Sequence, residues 1–210
     1  MLFRTNEALI NYLIRNNVLK TESIINAFLK IDRKNFVREE NLFEAYADYP
    51  LSIGEGQTIS QPWTVAFMLE LLQPQEGNKV LDVGFGSGWT TALLAQIVGD
   101  TGKVYGIEII PKIFEFGKNN IEKYNFIKKN IIKLKLGDGS KGWKEYSPFD
   151  RILVSASTKE IPYQLIEQLN INGILVIPDN QGIYQIFKDQ EGNIEKKYYY
   201  GFSFVPLVSQ

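Results

Sequence analysis

Neither cysteine nor histidine occurs anywhere in these 210 residues. The first absence excludes disulfides, thiolate nucleophiles and cysteine-held zinc or iron–sulfur centres. The second removes the commonest general base and the commonest metal ligand, so the chemistry must run without imidazole and no metal site is expected. Charge of one sign is also lacking. With 23 basic and 24 acidic residues the net charge is -1, which speaks against a dedicated binder of nucleic acid or of a membrane surface. No apolar run is long enough to span a bilayer, and the opening MLFRTNEALINYLIRNN lacks the basic start and unbroken apolar stretch of a signal peptide. A cytoplasmic location follows by default, and the length suits one domain, expected to be a monomer.

Apolar residues recur at helical spacing in segments 6–15 (Leu9, Ile10, Leu13, Ile14) and 21–30 (Ile24, Ile25, Phe28, Leu29), with Thr21 placed to cap the second. From 32 to 56 the pattern is irregular and rich in aromatic, charged and Gly/Pro residues, as in a long loop that carries residues 54–61 to a site and covers a pocket. Pro62 and the stripe Val65, Ala66, Met68, Leu69, Leu72 predict a helix ending before Pro74. Beyond it, strand-like runs at 79–83, 103–109, 132–136, 151–155 and 174–177 alternate with helical ones at 90–98, 111–124 and 163–169. That order implies a mostly parallel sheet with helices on both faces. Segments 183–187 and 198–205, joined by the turn-like Asp189-Gln190-Glu191-Gly192-Asn193, predict an antiparallel hairpin closing the sheet. The whole, 1–210, reads as one domain: helical cap and substrate loop 1–62, cofactor-binding α/β core 63–178, C-terminal hairpin 179–210.

Gly84, Gly86 and Gly88 alternate between a strand and a helix, where a backbone free of side chains can turn tightly against a nucleotide-type ligand. The spacing is GxGxG, not the GxGxxG of dinucleotide enzymes. Glu108 ends the next strand, where an acidic side chain can accept both ribose hydroxyls. In Gly137-Asp138-Gly139, Asp138 is a candidate acceptor for the exocyclic amine of adenine, or else part of an ordinary Asp-Gly turn. Asp82 either orients the loop through backbone hydrogen bonds or meets the cofactor's amino group. Phe85 and Trp89 read as packing residues of the pocket wall. Ser60 stands where it could cap the helix beginning at Pro62.

These residues resemble the protein-L-isoaspartate (D-aspartate) O-methyltransferases. The likeness is carried by Ile53-Gly54-Glu55-Gly56-Gln57-Thr58-Ile59-Ser60-Gln61-Pro62 and Leu81-Asp82-Val83-Gly84-Phe85-Gly86-Ser87-Gly88. It continues through Gly137-Asp138-Gly139, Pro148-Phe149-Asp150-Arg151-Ile152-Leu153-Val154, Ile161-Pro162 with Gln168-Leu169, and Phe204-Val205-Pro206-Leu207. The resemblance implies a Rossmann-like class I fold, S-adenosyl-L-methionine as methyl donor with S-adenosyl-L-homocysteine as product, and isoaspartyl, with D-aspartyl, carboxylates of damaged proteins as acceptors. It implies that Ser60 is the active-site serine and that Thr58, Ile59, Ser60, Val205 and Val208 meet the substrate. The cofactor would be met by Gln57, Thr58, Asp82, Gly84, Gly86, Gly88, Glu108, Ile109, Asp138 and Gly139. Glu55 departs from the aromatic or histidine of many relatives, and Pro178-Asp179-Asn180 from the usual Pro-Val-Gly.

An isoaspartyl carboxylate is already ionised near neutrality, so its oxygen needs no base before attacking a sulfonium methyl. That agrees with a chain without histidine. Ser60 would orient the acceptor as a hydrogen-bond donor, and the methyl ester formed would collapse to a succinimide, opening the way to repair. Three rival readings are a carboxyl methyltransferase with another acceptor, a non-catalytic cofactor-binding or interaction module, and a dinucleotide oxidoreductase, which the glycine spacing disfavours.

Overall fold

The computed structural model describes residues 1–207. Two helices, α1 (Asn6–Arg15) and α2 (Glu22–Lys30), lead into 3₁₀ turns at Arg33–Phe36 and Glu39–Glu44 and a short antiparallel hairpin of β1 (Leu51–Gly54) and β2 (Gln57–Ile59). There follow α3 (Pro62–Leu72), β3 (Lys79–Val83), α4 (Trp89–Val98), β4 (Lys103–Glu108), α5 (Pro111–Glu122), β5 (Ile132–Leu136), β6 (Phe149–Val154), α6 (Tyr163–Glu167), β7 (Leu169–Pro178), β8 (Gly182–Lys188) and β9 (Ile194–Tyr200). The seven-stranded sheet has the order β5-β4-β3-β6-β7-β8-β9, parallel from β5 to β7 and antiparallel across β8 and β9. This is the class I methyltransferase architecture. The order reverses at β3, so a crevice opens beyond the carboxyl ends of β3 and β6, the place where open α/β sheets bind ligands.

Side-chain alternation along the strands sorts the core into two layers. Val80, Val104, Ile132, Leu153 and Val176 pack with the apolar stripes of α1 to α5. The alternate residues Leu81, Tyr105, Ile152 and Leu175 pack with Leu165 of α6 and with Trp143 and Tyr146. Helices therefore cover both faces, but unequally, and aromatic rings complete the thinner layer. Trp89, almost wholly buried, meets Phe28 of α2 edge-on at 5.3 Å and donates its indole N–H to Ile31 O at 3.2 Å. The N-terminal helices thus share one core with the sheet.

Three sequence expectations are corrected. Thr21 takes the N-cap position of α2, but its hydroxyl donates to Glu70 Oε2 at 2.7 Å instead of closing its own helix. Glu70 Oε1 accepts the backbone N–H groups of Lys20 and Thr21 as well, so α3 supplies the cap. The expected long loop 32–56 ends in β1 and the turn of the β1–β2 hairpin, whose two residues Glu55-Gly56 have positive φ (51° and 71°), as a type I′ turn requires. The last strand runs Ile194–Tyr200, not 198–205. The Asp189 carboxylate closes the turn by accepting from Asn193 N (2.7 Å) and Nδ2 (2.9 Å), so pairing begins at once with Lys188 opposite Ile194. Residues 201–207 are left to return to the crevice, where Ser157 and Pro206 form a parallel bridge.

Candidate active site

Gly84 leaves β3 with φ 74°, and a Cβ placed on it would meet no atom within 4 Å. The glycine therefore faces an open cradle rather than a packed neighbour, which suits a bulky ligand lying against bare backbone. Gly88 serves a different purpose. A Cβ there would lie 2.8 Å from Gly117 O and 2.7 Å from Ile121 Cγ1 of α5, so its bareness lets α5 dock. Asn120 of α5, buried, donates Nδ2 to Ser87 O at 3.1 Å and fixes the loop from behind.

Glu108, 6% exposed, holds the loop from the other side. Its Oε2 accepts Gly86 N at 3.1 Å, and its Oε1 accepts Ile109 N at 2.8 Å and Ile110 N at 3.0 Å. A carboxylate has about four acceptor sites, so these three bonds leave roughly one for a ribose hydroxyl. Full acceptance of both hydroxyls by this group alone is not supported.

The cavity so formed is lined by Gln57, Thr58, Ile59 and Ser60 from the hairpin side, Gly84 and Gly86 from the loop, and Glu108, Ile109, Gly137, Gly139 and Val205. Phe85 and Trp89 form part of its wall. Asp82 and Gly88, both buried, and the partly buried Asp138 are not part of this lining. Asp138 Oδ1 accepts Ser140 N at 2.9 Å and Ser140 Oγ at 2.7 Å, holding the turn between the two lining glycines. Val208 lies outside the described residues.

Asp82 is fully buried and accepts the hydroxyls of Thr91 (2.6 Å) and Thr90 (3.1 Å) at Oδ2, while its Oδ1 has no partner among the described residues. It thus anchors the first turn of α4 through side chains, whereas the sequence offered either backbone bonds to the loop or contact with the cofactor's amino group. Burial pushes its carboxyl up from 3.8 to about 6, against the pull of the two threonines, and Glu108 adds to the rise. A carboxyl raised in the folded state stabilises below its unfolded value and loses that contribution as pH climbs through the folded one. Relative to Asp82→Asn, the natural chain should therefore lose roughly 2–3 kcal/mol of stability between pH 4 and pH 6.5. Urea midpoints measured on both proteins across that window test this; a constant difference would contradict it.

Ser60 sits between this cavity and a second cleft. Two cavities, one glycine-lined and one aromatic, share Thr58, Ser60, Ser155 and Val205 as a common wall. Ser60 does not cap α3. Gln61 holds the N-cap position, and Asp48 does the capping, accepting Trp63 N at Oδ1 (2.9 Å) and Gln61 Nε2 at Oδ2 (3.2 Å). The serine hydroxyl has no hydrogen-bond partner among the described residues, whereas its carbonyl accepts Arg33 Nη2 at 3.1 Å.

Arg33 was not signalled by any motif. It is 0% exposed and its guanidinium also donates to the carbonyls of Ala45 (2.7 Å), Ala47 (3.3 Å) and Tyr49 (3.2 Å), 5.5 Å from the Trp89 ring. Burial pulls it down to about 9, partly opposed by Asp48, so it stays charged at neutral pH. One cation thereby fixes the whole approach to Ser60.

Glu55 at the hairpin tip pairs with Lys112 of α5 at 2.9 Å. Gln57 and Thr58 follow Glu55, and Ile109 and Ile110 precede Lys112; all four line the cavity, so the pair ties its two walls together. An exposed pair contributes about 0.2–1 kcal/mol. Glu55→Gln should therefore raise the dissociation rate of S-adenosyl-L-homocysteine by about two- to threefold at low salt and not at 1 M salt, where screening already removes the attraction. Equal rates at low salt would sink the idea.

A family model described as protein-L-isoaspartate(D-aspartate) O-methyltransferase matches residues 4–210. A Methanopyrus kandleri protein-L-isoaspartate O-methyltransferase is 39% identical over 99% of this chain and 92% of its own, and the Pyrococcus horikoshii protein of that name is 43% identical over 92% and 88%. A Plasmodium falciparum chain described as a protein-L-isoaspartate O-methyltransferase, solved in complex with S-adenosyl-L-homocysteine, superposes with a TM-score of 0.90 at 28% identity, covering 99% of this chain and 100% of that one.

Proposed function

The chain belongs to the protein-L-isoaspartate(D-aspartate) O-methyltransferase family, and from that membership we propose how its own residues divide the work. The reaction is methyl transfer from S-adenosyl-L-methionine to the free carboxylate of isoaspartyl residues. When bound, S-adenosyl-L-methionine supplies an electrophilic methyl on a sulfonium sulfur. The open cradle at Gly84 and the carboxylate of Glu108 fit such a ligand, with Gln57, Thr58, Gly86, Ile109 and Gly139 completing its surroundings. Asp138, held by Ser140 between two lining glycines, is assigned the adenine amine. Asp82 and Gly88 act from outside that lining, positioning α4 and α5.

The observation that carries the reading is the common wall of the two cavities. Ser60, with a free hydroxyl and a clamped carbonyl, faces both. Its hydroxyl donates to the acceptor carboxylate and aims one oxygen, while Thr58, Ile59 and Val205 bound the space and keep water out. Because no proton leaves the acceptor, placement is the protein's main contribution, and well-placed reactants can supply roughly 7 kcal/mol or more of barrier reduction. Residues 1–210 act as one methyltransferase domain, as a monomer, in the cytoplasm, without nucleic acid or membrane partners. Among the described residues no helix is long and apolar enough to cross a membrane.

The direct test is transfer from radiolabelled S-adenosyl-L-methionine to paired peptides differing only in L-isoaspartate or L-aspartate. Label on the isoaspartyl peptide alone is expected; label on neither, with cofactor still bound, would move the function to another acceptor. A hydrogen bond to a charged group contributes about 1.5–3 kcal/mol, so Ser60→Ala should lower kcat roughly 10- to 100-fold while leaving the Kd for S-adenosyl-L-homocysteine within about threefold. A loss of cofactor affinity as large as the loss of turnover would contradict an acceptor-orienting role.

A further inference from the structure

Six aromatic residues line the second cleft, beside Ser60, and four of them form one cluster that the methyl-transfer geometry does not use. Trp63 and Phe67, one helical turn apart on α3, stack at 5.4 Å. Phe202 stacks on both, at 5.9 Å from Trp63 and 4.9 Å from Phe67, and Tyr199 of β9 meets Phe67 edge-on at 5.4 Å. All four are only partly buried, so they form a platform open on one side.

The platform is held rigid from beneath. Trp63 N is fixed by Asp48, the Tyr199 hydroxyl donates to Gln185 Oε1 at 3.3 Å, and Gln185 Nε2 donates in turn to Leu71 O of α3 at 2.6 Å. Among the described residues no lysine, arginine, aspartate or glutamate lines the cleft. Preformed aromatic surface without charge gains most by covering a large apolar side chain.

Resting on the reading of the function above, we propose that this platform is a specificity subsite that takes a bulky apolar side chain flanking the isoaspartyl residue. The acceptor carboxylate lies at Ser60, which belongs to the wall of this same cleft, so neighbouring residues of the substrate chain must pass along it. Leucine, isoleucine or phenylalanine there would be covered by Trp63 and Phe202; serine or glycine would leave the rings wet. The favoured substrates are then isoaspartyl sites in apolar segments, those that a damaged protein exposes when it partly unfolds.

The experiment uses a glycine/serine peptide frame with central L-isoaspartate, in which one leucine is scanned through the flanking positions. Kd is read by calorimetry with S-adenosyl-L-homocysteine bound, and kcat/KM by methyl transfer. Partial burial of one leucine on the rings should tighten Kd and raise kcat/KM about tenfold over serine at one position or two adjacent ones. Trp63→Ala and Phe202→Ala should each bring that leucine-to-serine ratio close to one, and Trp63→Phe should retain most of it. A flat scan with the natural protein, or a ratio that survives in either folded alanine variant, overturns the subsite. Absence of transfer to every isoaspartyl peptide, with S-adenosyl-L-homocysteine still bound, would instead overturn the functional reading on which the subsite rests.

Discussion

Arg33→Met should lower the free energy of unfolding by about 4 kcal/mol, the range seen when one member of a buried charged network is deleted. Methionine fills much of the volume, so the loss would not come from a cavity. It would come from the carbonyls of Ala45, Ala47, Tyr49 and Ser60, which lose their shared donor and cannot be replaced by apolar groups, since they belong to the backbone. Asp48, 9% exposed, would also lose its compensating cation. Urea denaturation with an unchanged slope would measure the loss. A drop below about 1 kcal/mol would show that water replaces the guanidinium at little cost.

Glu108→Ala should raise the Kd for S-adenosyl-L-homocysteine about 100-fold or more. Two effects add: the ribose loses an acceptor, and the N–H groups of Gly86, Ile109 and Ile110 lose the carboxylate that arranges them. A single charge-assisted bond contributes about 1.5–3 kcal/mol, and each 1.4 kcal/mol is tenfold in affinity. Calorimetric titration decides the matter, and an affinity within threefold of the natural protein would remove Glu108 from the binding machinery. Glu108→Gln offers a further comparison, because its amide can present only one oxygen and turns donors toward N–H groups that need acceptors.

The sheet was legible from two patterns: Lys79–Val83 carries apolar residues on both faces, as a central strand should, and in Ile132–Leu136 they alternate with lysines, as at a sheet edge; both fall where the sequence puts them. The glycine triplet spelled a turn, but not which glycine faces the ligand. That depends on where α5 docks, and the Gly117 carbonyl with the Ile121 side chain tells Gly88 from Gly84. Thr21 reads as a cap, and Ser60 as a candidate for one, because serine and threonine favour that position; Glu70 and Asp48, each supplied from elsewhere in the chain, take the role instead. The last strand was misplaced because Glu195, Lys196 and Lys197 conceal its start beneath a charged edge. Arg33 left no trace at all, since it recognises main-chain oxygens, which every sequence possesses.

That last property bears on how the approach to Ser60 can change over generations. A guanidinium that grips carbonyl oxygens is indifferent to the side chains attached to them, so the partly exposed Tyr49 can be exchanged without releasing its hold on the main chain, while packing alone keeps the buried Ala45 and Ala47 small. Shape and surface chemistry are thereby inherited separately. A lineage can drift in what its entrance prefers while Ser60 stays where it was, and the position under the strictest purifying selection would be one that touches no reactant.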